Sequence, residues 1–195
     1  DTVSVYYLPD KLSYHELCKR LSGLPINENH SEDGQSEVVL LPTLYGGEAG
    51  PDLAEVAHLK QLSEEEVIDI HSSQDYLIYM MGFLPGYPYL GGLSDAIDVP
   101  RLANPRASVP AGSVGITGRQ IGVYPLESPG GWHIIGRTPV PLFDMNRQEP
   151  FLYQPGDRIR FVPISKDEYE TIEQQVRENN YKVKKEVYRH GEQNN

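Results

Sequence analysis

The apolar positions change period several times along the chain. Residues Asp1 to Tyr7 alternate as a strand does, beginning at the first residue with no initiator Met, which reads as a chain that continues upstream. Ser13 and Glu16 then have capping-box spacing, with Leu12 and Leu17 placed as a hydrophobic staple, and predict a helix to about Ser22. Residues Asn27 to Ser36 are polar and acidic, and read as a mobile loop and domain boundary. Glu37 to Leu41 forms a second apolar run. After the loop Tyr45 to Pro51, Leu53, Val56 and Ala57 share one helical face. Ser63 and Glu66 predict a helix to about His71, and Asp75 to Met81 a strand.

From Gly82 to Pro163 the pattern is different. Gly or Pro recurs every few residues, and short β-rich pieces lie between them: Ser113 to Thr117, Ile121 to Tyr124, Trp132 to Gly136 and Arg158 to Val162. Short strands separated by turns predict a barrel or sandwich. Ser165 and Glu168 start a further helix, to about Asn179, and the charged tail from Tyr181 to Asn195 is expected to fray. The fold class is therefore an α+β amino-terminal fragment plus a mainly β barrel. Residues 1–36 form a small α+β piece and linker, 37–165 the barrel with its preceding helices, and 166–195 a helix and tail.

Charge and composition narrow the chemistry. The 195 residues carry 17 basic and 28 acidic side chains, a formal net charge of -11, which disfavours a nucleic-acid partner. Cys18 is the single cysteine, so an internal disulfide and a cysteine metal cluster are excluded. The His residues show no His-x-x-x-His spacing, and no metal site is indicated. No run approaches the ~20 apolar residues of a membrane span, and no leader pattern opens the chain, so a cytoplasmic location is expected.

Within this acidic chain the segment Pro100 to Gln148 concentrates Arg101, Arg106, Arg119, Arg137 and Arg147, with Glu127 and Asp144 as its acids. Guanidinium forks suit carboxylate or phosphate, so a pocket for a small anion is one reading; arginines that tie loops to carbonyls are the other. Gly112 to Gln120 and Ser128 to His133 are glycine-rich. They either let backbone N–H groups approach a ligand or serve tight barrel turns. Neither is a phosphate-binding loop of the Gly-Lys-Ser/Thr type. His71 and His133 are candidate acid–base groups. Phe83, Pro85, Gly86 and Tyr87 form a stiff aromatic lip that would cover a pocket or meet a partner.

Gly82-Phe83-Leu84-Pro85-Gly86-Tyr87-Pro88-Tyr89-Leu90 is similar to a signature of the KipI family, which comprises the B subunits of 5-oxoprolinase and is also called allophanate hydrolase subunit 1. Ser108 to Ile116, Gly122 to Pro125 and Ser128 to Pro139 resemble the same family in order and spacing. The resemblance implies a cyclophilin-like barrel after an α+β domain, here cut short at its start. It also implies a homologous partner of the KipA type (the C-type barrel) and a third subunit of the LamB/YcsF type. Such complexes open 5-oxoproline to glutamate with ATP and Mg, and this chain would be inactive alone. Two alternatives follow from the same resemblance: an inhibitor docking on a sensor histidine kinase, and a carboxyltransferase-type subunit of urea or allophanate metabolism. On the enzyme reading Arg119, Gln120 and Arg137 hold the substrate anion, and Tyr124 and Trp132 form a wall. Gly130 and Gly131 offer backbone N–H groups, and His133 carries a proton. Arg119, Tyr124, Trp132, His133 and Arg137 are expected on one concave surface.

Overall fold

The computed structural model describes residues 5–24 and 36–188, and the chain divides into two compact units, Asp1–Gly34 and Gln35–Asn195. In the first unit, residues 5–7 are not a strand, and the rest of the expected strand lies outside the described residues. Helix α1 (Tyr14–Ser22) is capped by Ser13, whose hydroxyl accepts the Glu16 N–H at 3.2 Å. The reciprocal half of the box does not form. Glu16 instead accepts from Arg20 one turn on, at 3.2 Å, because the i,i+4 guanidinium offers its carboxylate a charged donor. The expected loop and boundary over 27–36 lies outside the described residues apart from Ser36.

The second unit runs β1 (Glu37–Tyr45), α2 (Leu53–Lys60), α3 (Glu64–Ser72), β2 (Tyr76–Met81), β3 (Pro88–Gly91), β4 (Arg106–Val109), β5 (Ser113–Thr117), β6 (Gln120–Val123), β7 (Ser128–Gly130), β8 (His133–Arg137), β9 (Arg158–Pro163), α4 (Lys166–Arg177) and β10 (Lys185–Val187). The α3 and α4 capping boxes are complete: Glu66 returns to Ser63 N at 2.7 Å and Glu168 to Ser165 N at 2.8 Å.

Seven strands close in the order β1-β8-β5-β6-β3-β2-β9, and β9 returns to β1 in parallel, Val38 opposite Arg158 through Thr43 opposite Pro163. The strands between Gly82 and Pro163 do not close by themselves. Strands β1 and β2 supply the remaining staves, and α2 and α3 are an excursion between them. Antiparallel partners share a face, so the alternation sends Val114, Ile116, Ile121, Val123, Ile135, Ile159 and Phe161 inward to one core. Leu53, Val56, Ala57 and Val67 of α2 and α3 join that core. Each such Leu, Ile or Val contributes about 1.5–3 kcal/mol by leaving water.

The tail does not fray as expected where it is described. Strand β10 pairs antiparallel with β1, Glu37 opposite Val187. Arg160 holds it, bonding Asp75 at 2.6 and 2.9 Å and reaching Glu186 at 3.1 Å, and the Arg158 guanidinium lies 4.1 Å from the Tyr188 ring centre. These partners are distant in sequence, so local charge density gives no sign of them.

His71 belongs to the core. It is fully buried in α3, 4.5 Å ring to ring from Phe161, with Nδ1 2.7 Å from the Tyr45 hydroxyl. Desolvation lowers its pKa from 6.5 to about 3, so the imidazole is neutral at physiological pH.

Candidate functional site

A second packed layer lies on the outer face of the β5–β6 hairpin. Gly118, at φ +50°, makes its two-residue turn, where a side chain would be strained. Gly115 and Gly122 are cross-strand partners on this face. A Cβ on Gly122 would lie 2.2 Å from the Tyr87 hydroxyl, and one on Gly115 3.1 Å from the Trp132 Cβ. A Cβ on Gly130 in β7 would lie 2.4 Å from the Tyr124 hydroxyl. These glycines therefore make room for the protein's own rings.

Tyr87, Val109, Tyr124 and Ile134 form a second buried cluster there, with Leu84 and Tyr89 against it. Tyr87 meets Tyr124 edge to face at 5.2 Å and Trp132 at 6.2 Å. Burial raises the phenol pKa of both Tyr87 and Tyr124, so each stays protonated at neutral pH; Arg101 nearby opposes the shift at both. The small sheet β4–β7 lies beside this cluster. Val109 pairs with Ser128, so both share its inner face, and the buried Ser128 hydroxyl has no hydrogen-bond partner among the described residues.

Asp52 ties this region together. It is buried, and its carboxylate receives the Arg106 fork at 2.9 and 2.5 Å. The same carboxylate accepts the Ile134 N–H at 2.6 Å, while the Asp52 N–H donates to the Ile134 carbonyl at 2.9 Å. The seam between β1 and β8 has two paired positions, Leu44–Arg137 and Tyr45–Gly136. Gly46, which donates to Ile135, and Asp52 continue it. Gly50 fits here because a Cβ would sit 2.0 Å from the Ile135 carbonyl oxygen. One side chain thus secures β8 just after His133 and anchors β4.

The sequence-predicted residues fall into separate places. Tyr124, Gly130 and Trp132 meet in the aromatic cluster, and Gly131 abuts Pro105. His133 pairs with Ile116 and so faces the core side; its Nδ1 is buried without a partner among the described residues. Arg137 pairs with Ser113 at the opposite end of β5 from the turn that carries Arg119. Five residues of strand, about 13 Å, separate those ends, so the two arginines do not converge on one anion. Arg119 is exposed and paired with Asp95 at 3.1 Å, and Gln120 is exposed beside it. Arg137 is half-buried, its Nε donating to the Ala111 carbonyl at 2.8 Å. Tyr169 of α4 lies in its electrostatic reach: burial raises that phenol and Arg137 pulls it back.

The lip divides too. Phe83 and Pro85 are exposed, whereas Gly86 and Tyr87 are buried. Gly86 has φ +82° and accepts the Tyr153 hydroxyl at 2.9 Å. Phe83, at φ +68°, is held in a conformation rare for a side-chain-bearing residue. Sequence reasoning missed Asp52 and Tyr89, and it counted Arg101 and Arg106 without placing them. The concentration of arginine was the available signal for the last two. Among the described residues no group of three or more His, Cys, Asp or Glu is placed to hold a metal ion, and no helix is long and apolar enough to cross a membrane.

Comparison with known proteins adds to this geometry. The family model described as carboxyltransferase domain, subdomain C and D, matches residues 1–153. The chain is 53% identical over 138 residues to the 5-oxoprolinase B subunit of Bacillus subtilis, covering 71% of this chain and 58% of that protein. It is 50% identical over 151 residues to the 5-oxoprolinase B subunit of Haemophilus influenzae, covering 77% and 70%. The match thus spans less than two thirds of the Bacillus relative. A conserved uncharacterized protein of Pyrococcus horikoshii superposes with TM-score 0.66 at 47% identity, covering 84% of this chain and 74% of that one. The Kluyveromyces lactis urea amidolyase superposes with TM-score 0.68 at 20% identity, covering 93% and 13%, which is a likeness of fold alone.

Proposed function

The chain belongs to the carboxyltransferase subdomain C and D family, and we propose that it works as the B-type barrel of an ATP-dependent 5-oxoprolinase in the cytoplasm. On this reading it acts with a homologous KipA-like, C-type barrel and a third, LamB/YcsF-type subunit, and is inactive alone. Its division into 1–36, a barrel at 37–165 and a helical tail at 166–195 goes with that role. The observation that carries the reading is the identity of about half the aligned residues to proteins named as the B subunit of 5-oxoprolinase, running through the barrel just described. The reading in urea metabolism rests on a more distant likeness.

A lactam carbonyl is a poor electrophile, and ATP supplies a phosphoryl group that turns its oxygen into a leaving group. The sequence has no Gly-Lys-Ser/Thr phosphate loop, and among the described residues no group of three or more His, Cys, Asp or Glu is placed to hold a metal ion, so ATP and Mg are assigned to the assembled complex and no step is routed through them here. The chain's own contribution is to bind and orient. Arg137 has one edge fixed to Ala111, and its terminal NH2 groups have no acceptor among the described residues, which suits a substrate carboxylate. Arg119 and Gln120, at the far end of β5, serve a second anionic group or the partner barrel. Tyr124, packed over Gly130, and Trp132, packed over Gly115, are buried and brace the outer face of the hairpin from within, so they support a site and do not line it. Phe83 and Pro85 meet the partner over the buried Gly86 and Tyr87, whereas His133, buried on the core side of β8, is not given the proton-carrying role that the sequence alone suggested.

Arg137→Ala is expected to weaken 5-oxoproline-dependent ATP hydrolysis by the full-length complex roughly tenfold to a hundredfold, the loss of one charge-assisted hydrogen-bonding partner. Arg137→Lys is expected to recover only part, because an ammonium cannot keep the Ala111 bond and bind a carboxylate side-on. Assembly is checked separately by gel filtration. A variant that assembles normally and keeps full activity would make Arg137 a structural residue.

A further inference from the structure

Helix α4 ends near Asn179, whose backbone is left-handed at φ +56°, and the chain then turns back along β1 toward β10. That reversal leaves a cleft of about 410 Å³ between the end of α4, the segment 181–185 and the segment 140–152. The volume falls in the lower part of the range for small-molecule sites, ~300–1,000 Å³. Its floor is apolar and continuous with the barrel core: Val140 and Leu152 are core residues, and Val183 packs against them. Val176 adds a fourth aliphatic wall.

The mouth is cationic in a chain of net charge -11. Arg147 is partly offset by Asp144 at 3.7 Å, and Lys185 is paired with Glu37 at 2.6 Å. Lys182 is exposed and has no carboxylate within ion-pair distance among the described residues. One uncompensated positive charge above an aliphatic floor defines the ligand's chemistry. We propose that this cleft binds a small monoanion with an apolar body, such as a medium-chain or aromatic carboxylate. The apolar body would lie on Val140, Leu152 and Val183, and the carboxylate would meet Lys182. The cleft is formed by this chain alone, and the proposal is independent of the oxoprolinase reading.

The test uses the chain without partners. Fluorescence titration with 8-anilinonaphthalene-1-sulfonate, itself an apolar monoanion, is expected to saturate at one site. Octanoate is expected to displace it, and inorganic phosphate at the same concentration to leave it bound. Lys182→Glu is expected to weaken the probe roughly tenfold or more, and Lys182→Arg to stay within about threefold of the unmodified chain. Lys182 is exposed and has no ion-pair partner among the described residues, so neither change threatens the fold. Absence of saturable binding, displacement by phosphate as effective as by octanoate, or full affinity in Lys182→Glu would each overturn the proposal.

Discussion

Asp52→Ala is expected to destabilise the barrel unit by about 2–4 kcal/mol, a large fraction of the stability of an ordinary domain. The carboxylate is buried and serves three donors at once: both arms of Arg106 and the Ile134 N–H. Truncation leaves the Ile134 N–H buried without its acceptor, a desolvation cost of about 1–3 kcal/mol. It also frees Arg106, but that side chain is one-third exposed and can turn to water, so the charge itself costs less than in a fully buried pair. Asp52→Asn keeps a side-chain acceptor for Ile134 and loses the charged fork, so about half the effect is expected. Urea unfolding should show a lower midpoint with an unchanged slope. A midpoint shift worth less than about 0.5 kcal/mol would mean that the β1–β8 seam closes without Asp52.

The second large effect concerns acid. His71 is neutral in the folded chain because burial has brought its pKa from 6.5 to about 3. Between those values the unfolded chain binds a proton that the folded chain does not, so His71 destabilises the fold as pH falls. Its contribution is intact above about pH 6.5 and declines by about 1.4 kcal/mol per pH unit down to about pH 3. By pH 5 the loss is about 2 kcal/mol. His71→Leu also removes the Tyr45 partner, a cost that does not depend on pH. The readout is therefore the slope. Between pH 6.5 and 4.5 the stability of the His71→Leu chain should fall less steeply than that of the unmodified chain. Parallel curves would contradict a buried, neutral His71.

Both effects depend on long-range contacts, and this is where the sequence was least legible. Ser63–Glu66 and Ser165–Glu168 were readable because a capping box closes within four residues, and both form. The Ser13–Glu16 box formed by half, because Arg20 competed for the same carboxylate. Strands β5, β6, β8 and β9 were readable from β-rich runs between turns. Strands β4 and β7 were not, since Arg106–Val109 and Ser128–Gly130 are only three or four residues long and one contains Pro129. β10 looked like a solvated tail because its pairing depends on Arg160, Asp75 and Glu186, which no local window contains.

The candidate site shows the same limit. The glycines at 115, 122 and 130 were visible as a pattern, but their purpose was not. Only the cross-strand pairing places Tyr87, Tyr124 and Trp132 on them, which turns room for a ligand into room for rings. Arginine enrichment marked a segment of the chain. It could not tell Arg106, which is locked to Asp52, from Arg137, which keeps donors available, or put Arg119 at the far end of β5.

On the reading proposed above, this barrel is a working part of a 5-oxoprolinase rather than a free-standing module. The direct measurement is 5-oxoproline-dependent ATP hydrolysis by the full-length protein combined with its homologous C-type barrel and the LamB/YcsF-type protein, each omitted in turn. Turnover is expected with all three present and none when this barrel is left out or supplied alone. Undiminished turnover in its absence, or no co-assembly with the homologous barrel, would contradict it.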